Sequence, residues 1–379
     1  MTTAPGPTRR RLTRRVLASP LVESLTAPHG VDRFLEHVDP MLTVHSVRAR
    51  VSEVIHETGA ASTVVLEPND AWRGFRPGQH VQFGVEVDGK RRIRCFSVSS
   101  SSQRTDGRLS VTVKAHQDGY VSQYLHRALG DGTLIHLSEA EGGFVLPTEV
   151  PDDLVLLSGG SGITPVMSML RSLRDRGHDR SVTFLHYARS PEDEIFAAEL
   201  DEIAATCPWV SMCRVYTRAP ATGRVQGRFD ASHLQQLAID PSTALTYACG
   251  PAGLIESVRR TYDGAGAGEN LLMEYFKVPT VDLDAEDATG TLALDVTGRE
   301  VPNDGRTILE QAEAAGLTPQ FGCRMGVCHT CTVHKLHGAV RNVITGDVRA
   351  NTDEHIQICI NSPSATFASH SDARRRVHT

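Results

Sequence analysis

Four cysteines carry the most specific chemistry in this 379-residue chain. Cys323, Cys328 and Cys331 crowd into 321-FGCRMGVCHTC-331, and Cys359 follows in 356-IQICI-360. Such a group could be a metal cage or a redox pair. A structural zinc site usually draws on two Cys-x2-Cys knuckles, and only one such pair occurs here. Cys-x4-Cys-x2-Cys with a distant fourth thiolate instead suits a [2Fe–2S] cluster, one iron taking two thiolates from the loop. The other iron takes one thiolate from the loop and one from the segment around Cys359. A loop of this kind must wrap inorganic sulfides closely, and Gly322 and Gly326 permit the approach and the backbone angles it needs. His329 lies inside the loop, but the four thiolates complete the ligand set without it.

Further upstream stand 94-RCFSVSS-100, 112-TVKAHQDGYVSQYLH-126 and 139-EAEGGFVLP-147. They are followed by 159-GGSGITP-165, 249-CGPAGL-254 and 274-EYF-276. A glycine-rich turn that opens a helix lets backbone N–H groups meet a pyrophosphate, which fits 159–165. In this order the motifs resemble the ferredoxin–NADP reductase family, and residues 291–369 resemble plant-type ferredoxins with their β-grasp fold. The resemblance spans about residues 46 to 369.

That resemblance implies roles for individual residues. Arg94 would pair with a flavin phosphate, Phe96 would lie against the isoalloxazine, and Ser97 would hydrogen-bond near N5, the hydride acceptor. Cys95, Lys114, Gly119, Val121 and Ser122 complete the flavin set, with Ser122 expected to start a helix whose positive end favours a phosphate. Gly160, Gly162, Thr164 and Pro165 would hold the dinucleotide, while Cys249, Gly250 and Pro251 would lie beside the nicotinamide. Thr217 and Arg218 stand where NADPH-using relatives carry Ser-Arg, and Arg189 and Ser190 would add to that end. NADPH is therefore expected, with NADH the alternative. Tyr275 or Phe276 would cover the flavin and Glu274 would handle protons. Ser97, Cys249 and Glu274 are the candidate catalytic residues. FAD is expected as the flavin, with FMN the alternative that some ferredoxin-fused reductases use.

The elements that must position these residues are also legible. Short alternating strands at 62–68, 80–87, 91–100, 109–116 and 134–141 read as a small antiparallel β-barrel flavin domain over 46–148. Apolar strands at 154–158, 182–188, 210–217 and 244–249 alternate with helices at 164–177, 194–207 and 252–266. That is an α/β doubly wound nicotinamide domain over 151–277. A polar linker at 278–290 leads to an α+β β-grasp ferredoxin domain over 291–369, with a hairpin at 291–301 and a helix at 307–316. Residues 370–379 read as a tail. Residues 1–45 form an extension with helical stretches at 12–25 and 31–39.

The bulk numbers exclude several classes. A net charge of −6 gives no reason to expect nucleic acid as a partner. No apolar run reaches the roughly 18 residues of a membrane span, so a cytoplasmic protein is expected, with peripheral membrane contact through the arginines of the extension as an alternative to simple packing. The domain order implies a route in which NADPH reduces the flavin, the flavin passes electrons singly to the cluster, and the cluster reduces an acceptor protein. An oxygenase or a membrane fatty-acyl desaturase is the expected acceptor. The alternatives are a redox sensor that regulates a partner, or an NADH-dependent reductase of a soluble aromatic-ring or hydrocarbon oxygenase.

Overall fold

The computed structural model describes the chain apart from residues 1–16, 28, 88, 117–118, 220–224, 277–289, 295–298, 323, 327–328, 365–374 and 379. It divides into two compact units, one ending at Glu274 and the other running from Tyr275 to the C-terminus and including Pro251–Gly253.

The first unit opens with two short helices, α1 (Pro20–Thr26) and α2 (Val31–Leu35). Proline is at home in the first turn of a helix, where Pro20 stands; of the helical stretch expected at 12–25, residues 12–16 lie outside the described residues. Six strands follow: β1 (Val47–Thr58), β2 (Ala61–Pro68), β3 (His80–Val87), β4 (Lys90–Ser97), β5 (Leu109–Lys114) and β6 (Leu134–Leu137). They form one antiparallel sheet in the order β4-β3-β6-β1-β2-β5. A bridge between Val98 and Val111 brings the end of β4 back to β5, which curls the sheet into a barrel. Along β3, Val81, Phe83, Val85 and Val87 are buried at alternate positions, the period of two that a half-buried strand requires. Helix α3 (Tyr120–Arg127) plugs the barrel through Val121 and Leu125, one turn apart on the same face.

The same unit continues into a five-stranded sheet, β11-β10-β7-β8-β9, built from β7 (Leu154–Gly159), β8 (Val182–Ala188), β9 (Val210–Tyr216), β10 (Leu245–Gly250) and β11 (Leu271–Tyr275). The pairs β10/β7, β7/β8 and β8/β9 are parallel. Helices α4 (Ile163–Asp175), α5 (Ala197–Thr206), α6 (Ala231–Gln236) and α7 (Ala252–Gly264) make the crossovers. The strand order reverses between β7 and β10, so their carboxyl ends open the crevice where such sheets bind ligands.

In the second unit, β12 (Thr291–Leu294) and β13 (Arg299–Pro302) form the expected hairpin. Helix α8 (Ile308–Ala314) starts with a capping box, Thr307 and Glu310 each accepting the other's backbone N–H. Strands β14 (Thr332–Lys335) and β17 (Glu354–Gln357) pair antiparallel, and β15 (Ala339–Asn342), β16 (Val348–Arg349) and β18 (Asn361–Ser364) form a small second sheet. The expected tail needs correction. Residues Arg375–His378 form β19, which runs parallel to β12 and antiparallel to β14, at the centre of the sheet β13-β12-β19-β14-β17. The core of this unit gathers Leu292, Ile308, Leu309, Ile356 and Ile358 with Cys331 and Cys359.

Candidate flavin, nicotinamide and cluster sites

On the flavin side, β4 presents Arg94, Cys95 and Phe96 half-buried and Ser97 buried. The Phe96 ring meets Phe83 edge-on, with centroids 5.6 Å apart, leaving a flat aromatic surface tied to the barrel core. The Arg94 guanidinium donates to the Ile93 carbonyl at 2.8 Å. Lys114 ends β5 and lies 3.6 Å from the Asp193 carboxylate. Helix α3 starts at Tyr120, with Gly119 as its N-cap, so Ser122 lies inside the first turn and not at its start. The Ser122 hydroxyl donates to the Gly119 carbonyl at 2.9 Å and accepts the His116 N–H at 3.2 Å, which fixes the turn. A Cβ at Gly119 would lie 2.3 Å from that hydroxyl oxygen. The first-turn N–H groups, Val121 among them, have no acceptor within the helix, which is the donor set an anion needs.

On the nicotinamide side, β7 runs into a 3-10 turn at Gly160–Gly162 and then α4, where Thr164 and Pro165 are buried. Gly160 takes φ +54°, open to glycine, and the Thr164 hydroxyl donates to the Ser161 carbonyl at 3.1 Å. A Cβ on Gly162 would lie 2.3 Å from the Cys249 carbonyl oxygen, and one on Gly250 would lie 3.1 Å from the Gly159 nitrogen. The two glycine motifs thus meet backbone to backbone. Pro251 follows directly, before α7. Cys249 is wholly buried at the end of β10, beside Ser158 of β7, and burial followed by the Glu274 carboxylate pushes its thiol well up.

Glu274 lies on β11. Burial pushes its carboxyl up to about 8, so it is protonated at neutral pH, and its Oε2 has no hydrogen-bond partner. Its Oε1 is 3.9 Å from Nδ1 of His80. His80 is buried and stands directly opposite Ser97 in the β3/β4 register. Sequence reasoning missed His80, because nothing in a strand histidine reports a partner 194 positions away. Tyr275 ends β11 half-buried.

At the far edge of the sheet, the Thr217 N–H donates to the Ala188 carbonyl at 2.9 Å and the Arg218 N–H to the Arg189 carbonyl at 2.8 Å. These bonds hold the ends of β8 and β9 side by side, with Arg189 and Arg218 exposed and Ser190 next in line. The two arginines thus leave neighbouring backbone positions, and paired guanidinium groups suit a phosphate.

In the second unit, Cys331 and Cys359 are buried with sulfurs 3.1 Å apart, too far for a disulfide and converging as two ligands of one metal would. Cys323 and Cys328 lie outside the described residues. Around them the loop uses left-handed backbone at Arg324 (φ +59°), Gly326 (φ +78°) and His329 (φ +54°). A Cβ on Gly326 would lie 2.5 Å from Ile360, so this cradle is shaped by what a side chain would fill. His329 is exposed. Outside the cradle, Arg324 pairs with Glu313 and stacks over Phe321 at 4.0 Å. The donor chemistry fits a [2Fe–2S] cluster.

Fold and site together define a flavin- and nicotinamide-dependent oxidoreductase carrying an iron–sulfur cluster. The chain matches the Oxidoreductase FAD-binding domain over residues 49–145, the Oxidoreductase NAD-binding domain over 156–260 and the 2Fe-2S iron-sulfur cluster binding domain over 293–360. It is 34% identical over 344 residues to an NADPH oxidoreductase of Mycobacterium tuberculosis, a match covering 90% of this chain and 88% of that one. It is 32% identical over 324 residues to the ferredoxin reductase component of a 3-ketosteroid-9-alpha-monooxygenase from Mycolicibacterium smegmatis, covering 80% and 89%. Among solved structures, phthalate dioxygenase reductase shares the fold with a TM-score of 0.56 at 23% identity, covering 88% of this chain and 98% of that one. The chain belongs to the ferredoxin–NADP reductase-like oxidoreductases that carry FAD-, NAD- and 2Fe-2S-binding domains in a single polypeptide. No helix among the described residues is long and apolar enough to cross a membrane.

Proposed function

We propose that this protein takes electrons from NADPH and delivers them singly to an oxygen-activating acceptor, an oxygenase or a fatty-acyl desaturase. When bound, the flavin takes up hydride and the cluster carries one electron at a time. The chain's residues do the positioning. Arg94 and the first turn of α3 hold the flavin phosphate, Phe96 offers a ring face, and Ser97 reaches N5. The abutting turns at Gly162 and Cys249 fix the nicotinamide, and the buried neutral Glu274 offers a proton or a hydrogen bond beside it. Arg189, Thr217 and Arg218 read the 2′-phosphate that distinguishes NADPH from NADH.

The observation that carries the reading is the joining of Ala188–Arg189 to Thr217–Arg218 by two backbone hydrogen bonds, in a chain that also holds the converging Cys331 and Cys359 thiols. The relatives' names support the acceptor class: one serves a steroid monooxygenase, and another, 30% identical, is the reductase subunit of a glycine betaine monooxygenase of Chromohalobacter salexigens. The match to the NADPH oxidoreductase spans more of this chain than residues 46–379 contain, so it reaches into the extension. The test is anaerobic reduction of purified candidate acceptors. NADPH-driven reduction of a diiron desaturase or an oxygenase, lost when the cluster ligands are replaced, supports the reading. Rapid reduction of the protein's own chromophores with no transfer to either acceptor class contradicts it.

A further inference from the structure

Hydride transfer needs the nicotinamide and the flavin at one fixed separation, yet the residues that hold them stand on different sheets of the first unit. Ser97 closes β4 of the barrel, and the dinucleotide turn at Gly160–Gly162 opens α4 beside the parallel sheet. Side chains on α4 join the two.

Ser168, Arg171 and Ser172 lie three and four positions apart, on one face of α4. All three hold the backbone just beyond Ser97. The Arg171 guanidinium donates to the Ser99 carbonyl at 2.6 Å, and the Ser168 hydroxyl donates to the Ser100 carbonyl at 2.7 Å. The Ser172 hydroxyl accepts the Ser102 N–H at 2.9 Å. Ser99, Ser100, Ser168 and Ser172 are buried, so a partner lost here is not replaced by bulk water.

Arg171 is itself fixed from the far side. The Glu199 carboxylate of α5 takes it in a fork, accepting from Nε at 2.9 Å and also from Nη2, which leaves Nη1 for Ser99. The guanidinium also lies 4.4 Å over the Phe196 ring. Phe196 is buried and takes left-handed backbone at φ +65°, a conformation that a phenylalanine keeps only where its surroundings over-determine it. A lysine could not reproduce this arrangement, since a single ammonium has neither the fork nor the flat face.

We propose that Arg171 is a positioning residue for hydride transfer: anchored by Glu199 and Phe196, it fixes the Ser99 carbonyl and with it the placement of Ser97 against the dinucleotide turn. Arg171 acts through the strand that carries Ser97. The inference rests on the reading of this chain as a nicotinamide-to-flavin reductase. A seam that merely joined two domains would govern stability and flavin retention, and leave the hydride step of folded, flavin-loaded protein unchanged.

The test uses full-length holoenzyme with Arg171→Met and Arg171→Lys. Methionine removes the donors but keeps an unbranched stem, and Glu199 retains Arg174 at 3.7 Å, so no carboxylate is stranded. Flavin content and NADP⁺ affinity, the latter titrated by difference absorbance, are expected to match wild type. Stopped-flow bleaching of the flavin at saturating NADPH should slow by about 10- to 100-fold in Arg171→Met, as a displacement on the order of 1 Å between reacting groups would cause. Arg171→Lys should show a smaller loss in the same step. Hydrogen exchange at the backbone amides of 98–102 should quicken in Arg171→Met, a readout independent of turnover. Wild-type bleaching by an Arg171→Met protein whose 98–102 amides exchange faster overturns the proposal, as does a loss of rate that only tracks lost flavin. Should Arg171→Met fail to fold, bleaching at the wild-type rate by Arg171→Lys overturns it. Wild-type flavin that NADPH does not bleach at all would instead overturn the reductase reading beneath it.

Discussion

Replacing Gly162 with alanine probes the nicotinamide site through sterics alone. Gly162 has φ −64°, a conformation alanine adopts freely, so no backbone strain enters. The new Cβ would lie 2.3 Å from the Cys249 carbonyl oxygen, 2.5 Å from its carbon and 2.7 Å from Gly250 Cα. All three are backbone atoms, and no rotamer relieves them. Ordinary contact begins near 3.4 Å, so the turns after β7 and β10 must separate by about 1 Å. Overpacking of this kind costs about 1–3 kcal/mol of stability, and a shift of about 1 Å between reacting groups costs on the order of 10²-fold in rate. Anaerobic stopped-flow bleaching of the flavin by NADPH reads the effect directly. The flavin content should stay near wild type, because Gly162 lies on the nicotinamide side. Gly264→Ala, where a Cβ meets nothing within 4 Å, is the control. Bleaching by the Gly162 variant within about twofold of wild type would refute the claim that these two turns jointly set hydride geometry.

Three other perturbations follow from the same geometry. The Glu274 carboxyl is raised from 4.5 to about 8, so its stabilising contribution is complete below the unfolded value and is lost as pH rises through the folded one. Melting curves of wild type and Glu274→Gln should therefore diverge with rising pH by roughly 1.4 kcal/mol per unit across that window, and parallel curves would contradict a buried neutral carboxyl. Lys335 is fully buried, bonded to the Gly338 and Asn351 carbonyls at 2.8 and 2.7 Å and paired with Glu354 at 2.6 Å. Lys335→Met strands that carboxylate and should cost about 3–5 kcal/mol, seen as earlier thermal bleaching of the cluster absorbance; an unchanged midpoint would show that the pair is dispensable. Arg218→Ala should lower kcat/KM for NADPH by roughly 10- to 100-fold, the worth of one charged hydrogen bond, and leave NADH unaffected; equal losses with both would place Arg218 elsewhere.

Local signals wrote much of this fold into the sequence. The alternation in β2 and β3, the continuous apolar runs of β7 and β10, and the glycine turns after them each announce themselves within ten residues. Strand β1 also alternates, through Val47, Ala49 and Val51, but Arg48 and Arg50 between them gave it a basic look that hid it. Strand β19 could not be read locally. Arg375–His378 is basic and short, and it is a strand only because β12 and β14 leave a central gap for it. The thiols and phosphate-binding turns were legible because chemistry fixes their spacing. The pairing of His80 with Glu274 and the contact of Gly162 with Cys249 were not, since each joins residues brought together only by the fold.

The central claim is that Cys331 and Cys359, with Cys323 and Cys328, hold a two-iron cluster that receives electrons from NADPH. Low-temperature EPR of the anaerobic protein after addition of NADPH tests it most directly. The account predicts a signal of a reduced [2Fe–2S] centre approaching one spin per chain, absent from Cys331→Ser and Cys359→Ser variants that still bind flavin. A wild-type protein that bleaches its flavin with NADPH yet shows no cluster signal, even with dithionite, would contradict it.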